Sequence, residues 1–80
     1  MTCNVEYLLD EVYEEFDRSY HKFPDFNSAH EGYAVIKEEL DELWHEVKHN
    51  KDPEAYNRMR AEAIQVAAMA VKFLMFLERR

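Results

Sequence analysis

Acidic side chains at helical spacing are the feature of this 80-residue sequence most able to do chemistry. At ~100° per residue, Glu31, Glu38 and Glu42 fall within about 40° of one another on one helix face. Glu39 and His45 flank them, and Ala34 and Val35 share that side, so it is not purely a wetted surface. Twenty residues beyond Glu42, Glu62 and Gln65 stand one turn apart in an otherwise apolar stretch. A carboxylate among apolar neighbours is costly and either shifts its pKa or finds a partner. Glu62 has two ways out: solvent or an arginine such as Arg58, or Glu38 and Glu42 across a turn. In the second arrangement several carboxylates repel one another and a divalent cation relieves them. Hard oxygen ligands select Mg²⁺ or Mn²⁺ over softer metals.

Long helices must position these groups, since one glycine and two prolines give little punctuation. A first helix is expected over about 4–20, with Val5, Leu8, Leu9, Val12 and Phe16 as its apolar stripe. Phe23-Pro24-Asp25-Phe26 breaks the pattern. Ser28-Ala29-His30-Glu31 is a capping box that opens a second helix over 29–49. Tyr33, Ile36, Leu40, Leu43 and Val47 read as its core stripe, opposite the glutamates. After the turn Asn50-Lys51-Asp52, Asp52 as cap and Pro53 at the first helical position start a third helix over 53–79. The short connection makes the last two helices antiparallel neighbours. The expectation is therefore one all-α domain over 1–80, an antiparallel hairpin plus an N-terminal helix.

From Ala61 to Leu77 the third helix is apolar almost all round, interrupted chiefly by Glu62, Gln65 and Lys72. Such a helix must be covered on every side. Two short helices are too few for that, whereas a second copy of the chain suffices, with Ala63, Ala67 and Ala70 allowing close approach; the alternative is a tightly wrapped monomer. A domain this small buries only roughly 60–65% of its unfolded surface and usually needs a disulfide, a metal or partner subunits. Cys3 is the single cysteine, so no disulfide forms within one chain. A homo-oligomeric bundle, dimer or tetramer, is the expected assembly.

The charge balance, 17 acidic against 10 basic side chains and a formal −7, argues against a nucleic-acid polymer as partner. The N-terminus has no basic start or cleavage site, and the apolar run near the C-terminus is too short and interrupted to cross a bilayer. A cytoplasmic protein without a membrane partner is expected.

Glu38-Glu39-Leu40-Asp41-Glu42 resembles the EExxE motif of the MazG-type all-α nucleoside triphosphate pyrophosphohydrolases. Glu62-Ala63-Ile64-Gln65 stands where that family carries ExxD on the next helix, with Gln65 in place of the usual aspartate. Over roughly residues 23–77 the chain is similar to short MazG-like proteins of phages and prokaryotes. The resemblance implies a homo-oligomer that uses Mg²⁺ (or Mn²⁺) to hydrolyse a nucleoside triphosphate to its monophosphate and pyrophosphate. It implies Glu38, Glu39, Glu42 and Glu62 as metal ligands. Glu39 or Glu42, where not fully engaged by metal, would accept the proton of the attacking water. His30, Lys37 and Gln65 are the candidate substrate-binding residues.

Two other classes compete. Glu42-x-x-His45 has the spacing that ferritin-like carboxylate bundles use for di-metal sites, which need the motif twice. A non-catalytic oligomerisation module needs only the apolar third helix and a solvated acidic face. Lys37, Lys48, Arg58 and Lys72 read as solvated helix-face cations. Trp44, Tyr33, Phe26 and Phe23 read as core or interface packing. No glycine-rich phosphate loop, nucleophile elbow or Cys/His zinc pattern occurs.

Overall fold

The computed structural model describes residues 4–23 and 25–79; Cys3 and Pro24 lie outside the described residues. These form three helices and no strand: α1 (Asn4–Lys22), α2 (Ala29–Lys48) and α3 (Ala55–Glu78). No described helix is long and apolar enough to cross a membrane.

Local chemistry accounts for the helix ends. Ser28, extended at φ −158°, caps α2: the Glu31 amide donates to Ser28 Oγ at 3.1 Å. Glu31 reaches back one residue further than a standard capping box, accepting from the Asn27 amide. At the start of α3 the structure departs from expectation. Pro53 lies in a turn, and the helix begins two residues later, at Ala55. The Asp52 carboxylate bonds to Arg58 at 3.2 Å, which holds it below the usual carboxylate range.

α1 and α2 each pack on α3 and not on each other. The core is correspondingly thin. Phe26, Ala68 and Met69 form its buried centre, with Val12, Phe16, Val35, Ile36, Phe73 and Phe76 packed around them. Among the described residues no large side chain is completely buried. The radius of gyration is 13.8 Å, against about 12 Å for a compact domain of this length. The chain is spread out over its central helix.

Two apolar stripes do not sit where the periodicity places them. On α1 only Val12 and Phe16 reach the core, while Val5, Leu8 and Leu9 are exposed. On α2, Tyr33, Leu40 and Val47 are exposed, at 62%, 51% and 38%. The side turned to α3 carries Gly32, Val35, Ile36 and Glu39, roughly 80° around the helix from the expected stripe. Gly32 sets this rotation. A Cβ there would come within 2.7 Å of Phe73 Cε1 and 3.0 Å of Phe26 Cδ2, so only glycine lets the two helices approach. α3 in turn leaves Ala63, Ala70, Leu74 and Leu77 exposed.

Candidate metal centre

The rotation of α2 turns Glu39 inward. One carboxylate oxygen each from Glu39, Glu42 and Glu62 lies within 4.8 Å of the others. Glu62 Oε1 is buried and has no hydrogen-bond partner. Of the two ways out expected for Glu62, the arginine is not taken. Arg58 bonds to Glu46 at 2.8 Å and to Asp52 instead. Among the described residues no lysine or arginine closes an ion pair with any of the three carboxylates.

The electrostatics follow from this crowding. Glu39 is pushed up to about 7, first by burial and then by the negative charges of Glu42, Glu62 and Glu38. Glu62 is also raised, by burial first and then by Glu42 and Glu46. Near neutral pH the cluster therefore holds protons that isolated carboxylates would have lost. The donor set fits a hard divalent cation. All donors are carboxylate oxygens, and Glu62 carries a buried oxygen without a partner. Opposite ligands of an Mg²⁺ octahedron stand about 4.2 Å apart, so small side-chain shifts close a spread of 4.8 Å. Mg²⁺ takes its remaining ligands from water and phosphate, so three carboxylates suffice.

No family model, curated protein or solved structure matches the chain.

Of the residues expected in the site, the structure brings together Glu39, Glu42 and Glu62. Glu38 is exposed, and its charge reaches the cluster through Glu39. Gln65 is half-buried and shares with Glu39 the lining of a cavity of about 500 Å³. Lys37 bonds to Asp41 at 3.2 Å on the exposed side of α2. His30 lines a shallow depression with Tyr33 and Phe73. His45 does not join the carboxylates; its ring packs on His49 at 4.4 Å between centroids.

Lys72 is the residue the sequence reading misplaces. It is 3% exposed, not solvated, with Nζ 4.9 Å from the Phe26 ring centroid. The available signal was its setting, with Ala68, Met69 and Phe76 one turn away on the same face.

Proposed function

We propose that the chain is a Mg²⁺-dependent nucleoside triphosphate pyrophosphohydrolase, giving a nucleoside monophosphate and pyrophosphate. The observation that carries this reading is the convergence of Glu39, Glu42 and Glu62, with Glu62 also carrying a buried, unpartnered Oε1. EExxE on one helix and a lone glutamate on the next give the resemblance to MazG-type enzymes its physical content. Bound among these groups, Mg²⁺ supplies charge neutralisation and orientation of the triphosphate and acidifies the attacking water. Glu39, Glu42 and Glu62 would hold the cation, and Glu39 or Glu42, where not fully engaged by it, would accept the water's proton. Gln65 offers a neutral amide beside them, for a metal ligand or a phosphate oxygen.

The working unit in this reading is a homo-oligomer in which α2 and α3 form an antiparallel hairpin. The exposed stripe of Tyr33, Leu40, Trp44 and Val47, with Leu74 and Leu77, is what a second copy would cover. A chain with no fully buried large side chain has little core of its own, and self-association supplies the missing burial. The same exposed stripe also suits a non-catalytic oligomerisation module. The carboxylate cluster distinguishes the two, because such a module has no use for an unpartnered buried acid.

Phosphorus NMR of a deoxynucleoside triphosphate incubated with the protein and Mg²⁺ tests the reading. Monophosphate and pyrophosphate signals are expected. Diphosphate and orthophosphate would place cleavage at the wrong bond, and an unchanged triphosphate would remove the activity.

A further inference from the structure

The cavity of about 500 Å³ that shares Glu39 with the cluster is lined also by Gln65, Phe26, Asn27 and Lys72. Its size lies in the range of small-molecule pockets, roughly 300–1,000 Å³. Lys72 is the only described lysine buried in the fold, and among the described residues it makes no ion pair. An unpaired buried ammonium is costly. Burial holds Lys72 below the ordinary lysine range, against the opposing charges of Asp25 and Glu31.

A lysine donates three hydrogen bonds and accepts none, so its ligand must present an acceptor. Phosphate and a neutral carbonyl are the two candidates. Asp25, Glu31 and Glu39 also line the cavity and outnumber its two cations, Lys22 and Lys72, which disfavours a phosphate, while Phe26, Val35 and Met69 offer apolar surface to a flat ring. The carbonyl wins on both counts. Seven residues of helix separate Gln65 from Lys72, about 10 Å along the axis, which leaves room for a ribose and a base beyond a triphosphate held at the cluster.

We propose that this cavity takes the nucleoside end of the substrate and that Lys72 Nζ donates to a ring carbonyl oxygen of the base. Thymine, uracil, cytosine and guanine nucleotides are then taken over adenine nucleotides, because adenine accepts only through its ring nitrogens and has no exocyclic oxygen projecting toward Nζ. The inference rests on the nucleotide reading above and names the substrate class of that site.

The test uses nucleosides without phosphate and protein without metal, followed by NMR of the lysine ε-methylene groups. Thymidine and uridine are expected to shift the Lys72 resonances saturably, with adenosine binding about tenfold or more weakly, as loss of a hydrogen bond to a charged group implies. Lys72→Met should weaken thymidine by a similar factor, with its melting temperature confirming the fold. Equal binding of adenosine and thymidine, or thymidine binding that leaves the Lys72 resonances of the wild type unmoved, would overturn the inference. So would a Lys72 shift produced equally by inorganic phosphate. Nucleosides carry no bond to hydrolyse, so nucleoside binding without pyrophosphate release removes the enzyme reading alone. Pyrophosphate release without base preference removes this inference alone.

Discussion

The Glu62 carboxylate on α3 lies within 4.8 Å of the Glu42 carboxylate on α2, and its buried Oε1 engages no hydrogen bond. Two helices that must pack thus hold like charges together at their contact. In the proposed reading a divalent cation relieves this crowding, which has consequences of its own in the metal-free protein.

Stability of the metal-free chain should fall as pH rises through weak acid. Glu39 binds its proton up to about 7 in the folded state, against 4.5 ordinarily. Between those values the folded state holds more protons than the unfolded state, so rising pH favours unfolding. Glu11 works the other way and lower down. Arg60 holds it to about 2, so its contribution is complete above 4.5 and is lost as pH falls from there toward about 2. Thermal melts at about pH 5 and pH 8 should therefore give the lower Tm at pH 8, and millimolar Mg²⁺ should raise the pH 8 value selectively. A metal-free Tm that climbs from pH 5 to pH 8 would contradict the crowded cluster.

Removing one of the crowded charges should help the empty site. Glu62→Gln is expected to stabilise the metal-free protein at pH 8 by on the order of 1 kcal/mol and to abolish the Mg²⁺-dependent rise in Tm. Denaturant unfolding with and without Mg²⁺ reads both effects. A destabilised variant that still responds fully to Mg²⁺ would show that Glu62 is an ordinary packed side chain.

The close approach at Gly32 should tolerate no methyl group. Alanine gains up to about 1 kcal/mol in helix propensity, but intrusion on Phe73 and Phe26 costs about 1–3 kcal/mol. Gly32→Ala should therefore be destabilised by about 1–2 kcal/mol, with Phe73→Leu recovering part of the loss. Additive effects in the double mutant would show that the two sites do not touch.

The three helices were legible because their signals are local: periodic apolar residues, the Ser28 cap, and the scarcity of glycine and proline. The inward carboxylates were only partly legible. Glu42 and Glu62 stood out by position, whereas Glu39 was named only through the EExxE resemblance and faces them because α2 is rotated. Nothing local reports that rotation, which depends on Gly32 meeting Phe73 some forty residues later. The stripe of Tyr33, Leu40 and Val47 therefore read as hairpin core although it faces outward. Lys72 was missed for a related reason, since its type suggested solvent while its neighbours, Ala68, Met69 and Phe76, are core residues.

That outward stripe predicts an assembly that one charge should break. Leu40→Lys puts a cation at a position 51% exposed in the single chain. Light scattering coupled to size exclusion should show an oligomer for the wild type and a monomer for the variant, with helical circular dichroism retained at low temperature. A monomeric wild type would remove the oligomer.

Pyrophosphate release from a panel of ribo- and deoxyribonucleoside triphosphates, with and without Mg²⁺, tests the central claim most directly when wild type is compared with Glu62→Gln and Glu39→Gln. The expected result is Mg²⁺-dependent release by the wild type, reduced at least about 100-fold in both variants while their melts remain cooperative. No release from any triphosphate, or release that survives both substitutions, would contradict it.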